Sequence, residues 1–137
     1  MSTIFTKIIH REIPASIVYE DEAHIAFLDI HPFEKWHTLV VPKKEYETIL
    51  VMPEDEYIEL QKIVLKIAKH YESLLWCGIN IVQNNKEIAW QSVPHTHFHI
   101  IPRLDSSKTG FFETAEWYQD GEMKIFQEKL SLISYKN

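Results

Sequence analysis

The sequence predicts an α+β fold on three observations: five runs of strand-like composition, one long stretch whose apolar residues recur at helical spacing, and a length and composition suited to one domain. The chain has 137 residues, 45% of them apolar and 25% charged, which is enough to bury a real core and gives no sign of a second domain. One unit over 1–137 is expected.

The elements follow in chain order. "TIFTKIIHREI" has apolar residues at 4, 5, 8 and 9, the spacing of a short amphipathic helix, and Pro14 follows it. "SIVYED" and "HIAFLDI" read as strands separated by Glu20, Asp21 and Glu22, and so as a hairpin. "HTLVVPKK" is a third strand, buried from Thr38 to Val41 and stopped by Pro42. The best helix begins at Pro53, suited to a first turn, with Glu54, Asp55 and Glu56 placed to favour the positive end of the helix dipole. Its apolar positions 60, 63, 64, 67, 68, 71, 74 and 75 form one stripe, so that face covers a sheet. Gly78 is expected to end this segment, "INIVQN" is a fourth strand, and "NNKEIAWQSVP" is a connecting loop before a fifth. Beyond Arg103, "LDSSKTG" reads as a loop and "ETAEWYQDGEMKIFQEKLSLI" as helix-prone sequence interrupted at Gly121.

Charge and cysteine content exclude several roles. Twenty acidic against fourteen basic residues give a net charge of -6, which argues against a nucleic-acid groove and requires local donors for any anionic substrate. No basic start precedes an apolar stretch, and no run approaches the roughly 18 apolar residues of a membrane span, so a cytoplasmic protein with no membrane partner is expected. Cys77 is the sole cysteine, which rules out an internal disulfide and a multi-cysteine zinc site. It reads as a small buried apolar residue rather than a reactive thiol.

The fifth strand carries the chemistry. "VPHTHFHIIPR" places His95, His97 and His99 at alternate positions, so an extended chain would present all three on one face, with Thr96, Phe98 and Ile100 on the other. With 8 histidines in 137 residues such a triplet arises by chance with a probability of about 0.03, so composition alone does not account for it. Three readings stay open at this point. The rings are structural; or two of them hold a zinc ion, although Glu87 is the only acidic residue between Asn85 and Arg103 to complete the set; or a neutral imidazole attacks phosphorus, a second ring donates to the phosphate or the leaving atom, and a third fixes the array.

"HTHFHII" resembles the His-φ-His-φ-His-φ-φ signature of the histidine triad (HIT) family of nucleotide hydrolases and transferases, with Thr96 as a loosely apolar entry. "FTKIIHREIPASIVYEDEAHIAFLDIHP", "HTLVVPK", "NIVQNN" and "QSVPHTHFHIIPR" are similar to successive segments of its Hint-like branch, so the resemblance covers roughly residues 4 to 103. It implies an antiparallel five-stranded sheet with the long helix on one face, paired into a homodimer. It also implies hydrolysis of purine nucleoside phosphoramidates or related conjugates through a nucleotidyl-histidine, releasing AMP or GMP, with no cofactor or metal in the covalent step. His97 would be the nucleophile, the His95 carbonyl would accept from its ring, His99 would bond the phosphate and leaving atom, and His37 would support the triad. Asp29 would bind the ribose hydroxyls. Asn84, Gln91 and Ser92 would line the phosphate and leaving-group side, and Phe5, Ile8, Ile13, Phe27, Leu28 and Ile30 the base pocket. Taken without the resemblance, the apolar residues read as core and Asp29 as a turn-former.

The sequence departs from the family pattern at three places. Trp36 and Trp90 stand where relatives usually carry glycine, before the upstream histidine and before the loop glutamine, so the volume of Trp90 is expected to narrow the leaving-group side. Thr3 and Thr6 stand where many bacterial relatives hold a structural zinc with Cys-x-x-Cys, so that zinc is not expected. Two other activities fit the same residues. A dinucleoside polyphosphate hydrolase would use Trp117 and Tyr118 as an aromatic surface for a second base, and a non-catalytic nucleotide-binding regulator would retain the pocket behind a hindered loop.

Overall fold

In the computed structural model, residues 2–105 and 117–132 are described. Thr3 caps the first helix, α1 (Ile4–Ile9), its side chain accepting from the Thr6 N–H while the Thr6 hydroxyl accepts from the Thr3 N–H. The hairpin β1 (Ile17–Glu20) and β2 (His24–Leu28) forms as the β-branched runs require, and β3 (Thr38–Pro42) ends at its proline. β4 (Gly78–Gln83) and β5 (Phe98–Arg103) complete one antiparallel sheet in the order β1-β2-β3-β5-β4.

The long helix α2 (Glu54–Leu75) has Pro53 at its N-cap and its acidic triplet in the first turn. It lies across β5, β3 and β4, burying Leu60, Val64, Ile67, Ala68 and Tyr71. Leu60, Ile67 and Tyr71 are fully enclosed, and burial of an aliphatic side chain of this size contributes about 1.5–3 kcal/mol. α3 (Glu122–Leu130) starts after Gly121, whose φ of +79° is easy for glycine, and packs on β1. Helix begins only after Gly121, and residues 117–120, expected to be helix-prone, are not helical; the part of that run over 113–116, and most of the preceding loop, lie outside the described residues. No helix among the described residues is long and apolar enough to cross a membrane.

Four expectations need correction. The α2 helix is ended by Trp76, which adopts φ +53°, and Gly78 instead opens β4. Leu74 is 43% exposed and falls outside the stripe, which still reaches Leu75 against the core. Cys77 is only half-buried, although burial still raises its thiol pKa. The three histidines do not share a strand: β5 begins at Phe98, and only His99 lies within it. Upstream, Pro94 has no N–H to give a ladder, the His95 N–H turns back to the Val93 carbonyl, and both the N–H and the hydroxyl of Thr96 bond Tyr46 O.

Candidate active site

The sheet alternates sides along each strand, and the two faces have different covers. Ala26, Leu28, Val40, Phe98 and Ile100 cluster with the buried face of α2, whereas Ile25, Phe27, Leu39 and Val41 cluster with Phe5 and Ile8 of α1, with Ile13, Ala15 and Val93 packed beside them. Six residues of helix cannot cover that face, and a cavity of about 430 Å³ remains, within the range of small-ligand pockets. All six residues expected to form a base pocket, Phe5, Ile8, Ile13, Phe27, Leu28 and Ile30, line it, together with Asp29, Ser92, His97 and His99. Asn84 and Gln91 do not line this cavity. The Gln91 amide is buried and spans two backbone groups, its Oε1 accepting from the Lys86 N–H (2.7 Å) and its Nε2 donating to the Glu47 carbonyl (2.6 Å). Asn84 donates to the Trp90 carbonyl at 3.4 Å.

Asp29 is a turn-former and also a cavity residue. Its Oδ1 accepts from the His31 N–H at 2.9 Å, an Asx turn, and its carboxylate borders the cavity. Burial raises its pKa above the ordinary carboxylate range, opposed by the bond from His31.

Backbone partners decide where each imidazole carries its proton. His97 Nδ1 lies 2.7 Å from the His95 carbonyl, which can only accept, so Nδ1 bears the hydrogen and Nε2 keeps a free lone pair. The Phe33 N–H donates to His37 Nδ1 at 2.9 Å, which leaves the proton of a neutral His37 on Nε2. His37 Nε2 in turn lies 2.9 Å from His99 Nδ1, so it donates there, and His99 carries its proton on Nε2. The His97 and His99 rings stand 5.0 Å apart, which pairs an imidazole with a bare nitrogen and an imidazole with an N–H donor at one cavity wall. The His95 ring is turned away, donating from Nε2 to the Pro42 carbonyl at 2.8 Å.

This assignment requires neutral rings, and burial supplies that condition. Desolvation, reinforced by the neighbouring histidines, pushes His37 down to about 3 and His99 to about 4. Desolvation also lowers His97 and His95, against the carbonyl bonds that favour their charged forms. With His37 neutral, its 3.7 Å approach to Asp29 Oδ2 is not an ion pair at neutral pH.

Both tryptophan departures keep the backbone that glycine would favour. Trp36 has φ +90° and Trp90 has φ +72°, conformations that cost a non-glycine residue about 1–3 kcal/mol. Trp90 is 65% exposed and borders a second cavity, of about 640 Å³, that meets the first at Ser92. It bounds that space without filling it. Thr3 and Thr6 spend their hydroxyls on the α1 cap and present no thiolates, so they do not fit a structural zinc. Among the described residues, Asp29, His37 and His99 bring ligand-type atoms within 4.8 Å of one another. Their nitrogens are joined to each other by the His37–His99 bond.

The chain matches the HIT domain over residues 10–106. It belongs to the HIT family. An uncharacterized HIT-like protein of Methanocaldococcus jannaschii is 55% identical over 102 residues, covering 74% of this chain and 79% of that protein. The adenosine 5'-monophosphoramidase of Schizosaccharomyces pombe is 38% identical over 103 residues, 75% of each chain. Among solved structures, a HIT-like protein involved in cell-cycle regulation from Bartonella henselae superposes with a TM-score of 0.83 at 35% identity over 94% of both chains. The monophosphoramidase relatives are consistent with the Hint-like branch of the HIT family, and the five-stranded antiparallel sheet is shared with the solved HIT structures.

Several contributors to this HIT site gave no signal in sequence. The Phe33 N–H that sets the His37 tautomer is a backbone group, and His31, Pro14, Ala15, Leu39 and Val93 reach the cavity through loop and strand geometry.

Proposed function

We propose that this HIT protein hydrolyses purine nucleoside phosphoramidates or related nucleotide conjugates, with His97 as nucleophile. The observation that carries the reading is the pair of opposite tautomers, a bare Nε2 on His97 beside an Nε2–H on His99. The His97 lone pair forms an N–P bond as the bond from phosphorus to the leaving nitrogen breaks; that nitrogen departs as an amine with a proton taken up from solvent, and His99 Nε2–H hydrogen-bonds it while staying a neutral imidazole. The ring becomes cationic, and its Nδ1–H bond to the His95 carbonyl strengthens with the developing charge. Water then attacks phosphorus, displaces His97 as a neutral imidazole, loses a proton to solvent and releases the nucleoside monophosphate. Asp29 holds the ribose hydroxyls, and the apolar wall takes the base. The monophosphoramidase relatives support this substrate class.

A larger leaving group, as in a dinucleoside polyphosphate, is the second reading, favoured by the second cavity of about 640 Å³ that meets the first at Ser92. Single-turnover comparison of an adenosine phosphoramidate with a diadenosine polyphosphate separates the two. Turnover of neither, with AMP still bound, would indicate a nucleotide-binding regulator. The proposed assembly is a homodimer: β4 is an edge strand with Ile81 half-exposed, and isologous pairing would extend the sheet, a prediction that sedimentation tests.

A further inference from the structure

The loop over residues 29–37 begins at Asp29, ends at His37 and contains its own fixings. The Asp29 N–H donates to the His37 carbonyl, the His37 N–H to the Glu34 carbonyl, and the Phe33 N–H to the His37 ring. These bonds close the loop, but its last step is strained at Trp36, with φ +90°. What holds that step comes from the far end of the chain.

The C-terminal segment meets this loop at four points. The Trp117 ring sits edge-on to His31 at 4.6 Å, and the Tyr118 hydroxyl accepts from the Trp36 N–H at 3.0 Å. Glu122 pairs with Lys35 at 3.0 Å, and Phe126 stacks on the Trp36 indole, 4.0 Å between ring centroids and 13° from parallel. The Trp36 carbonyl is held from the other side by the Thr38 hydroxyl, which is itself 2.7 Å from the Tyr71 hydroxyl in the core. Beyond these contacts the segment is anchored away from the loop: Gln127 donates to the Ile17 carbonyl, the Leu132 N–H to the Val18 carbonyl, and His70 Nε2 to the Leu130 carbonyl. A tether fixed at one end to β1 and α2 grips, at its other end, the residue that immediately precedes His37.

We propose that residues 117–132 form a strap that holds the loop at 29–37 in the conformation that fixes the proton on His99, with Tyr118 and Phe126 as positioning residues for His37. The path is short. Tyr118 and Phe126 set Trp36, Trp36 sets the turn into His37, the turn keeps the Phe33 N–H on His37 Nδ1, and His37 Nε2–H then occupies His99 Nδ1. If the turn relaxes, His37 is free to exchange tautomers and His99 loses its fixed Nε2–H donor. The strap also explains how tryptophan is tolerated where glycine would adopt the same backbone unaided. The inference rests on the reading of His97 and His99 as the reacting pair.

Side-chain nitrogen NMR of the full chain with isotopically labelled histidine tests it directly. The wild type should show His37 and His99 as Nε2–H tautomers and His97 as the Nδ1–H tautomer. Tyr118→Phe, which removes one hydroxyl, should give mixed tautomers at His37 and His99 while His97 is unchanged. It should lower kcat about ten-fold with KM within about two-fold. Combined with Trp36→Gly, the same substitution should cost less than about two-fold, because glycine needs no tether at φ +90°. Phe126→Leu should reproduce the tautomer change. A correct wild-type pattern that neither variant disturbs overturns the strap alone, and so does an equal cost of Tyr118→Phe with and without Trp36→Gly. A wild-type His97 carrying its proton on Nε2 overturns the reacting pair, and the strap with it.

Discussion

The two faces of the sheet are built from the same strands and end in different states. On one, Val40, Ala26 and Ile100 are fully enclosed beneath a helix of 22 residues. On the other, Phe27 and Leu39 lie under a helix of 6 residues, and the uncovered remainder is the cavity at which His97 and His99 stand. Closure produces stability and incomplete closure produces a site. An imidazole that must be neutral needs burial, yet a nucleophile must be reachable; the short α1 helix meets both needs by drying the histidines on one side while leaving them open on the other.

The sharpest way to break this comparison is at the open face. His97→Ala should lower turnover by a thousand-fold or more while AMP affinity changes by no more than about three-fold, read by rapid-quench kinetics and calorimetry. A substantial remaining rate would move the covalent role elsewhere. At the closed face, Ile67→Ala should cost about 2–5 kcal/mol of stability in denaturant titration and leave AMP affinity unchanged, since α2 does not line the cavity. Ile13→Ala, at the cavity rim, should do the reverse: AMP binding weaker by about five-fold with a small change in stability. Loss of stability without loss of binding at Ile13 would erase the distinction between the faces.

Acid should also act on the open face first. His37 and His99 have folded-state values near 3 and 4 against an ordinary 6.5, so between these limits the unfolded chain binds more protons than the folded one. Stability should be fully present above about pH 6.5 and fall as pH drops toward 4, by up to about 1.4 kcal/mol per pH unit for each titrating ring. His99→Gln should flatten that slope in pH-dependent melting; an unchanged slope would mean that His99 is not held neutral by burial. The smallest effect is expected at Trp90. It borders the second cavity without filling it, so Trp90→Gly should raise kcat/KM for bulky over small leaving groups by less than about ten-fold. An unchanged ratio with a lower melting temperature would assign Trp90 to the loop alone.

Much of this was legible in sequence because period and punctuation are local. Pro53 with its acidic triplet marked α2, Gly121 marked the break before α3, and the alternation around His99 marked the strand that carries it. What escaped was non-local or carried by the backbone. The start of β5 depends on Tyr46 capturing Thr96, a partner 50 residues away. The proton on His99 depends on His37, 62 positions upstream, and on a peptide N–H that every residue except proline possesses. Trp36 looked anomalous because its partners, Tyr118 and Phe126, are distant in sequence and carry no periodic signal. The two backbone bonds that hold the Gln91 amide were not legible either, although Gln91 does border the second cavity beside Ser92.

The central claim is that a covalent bond forms to His97, and stereochemistry at phosphorus tests it even if the intermediate never accumulates. A chiral adenosine phosphorothioamidate would be hydrolysed in heavy-oxygen water and the configuration of the product thiophosphate determined. Two in-line displacements, the first by His97 and the second by water, predict overall retention. Inversion would mean a single direct attack by water and would contradict the account.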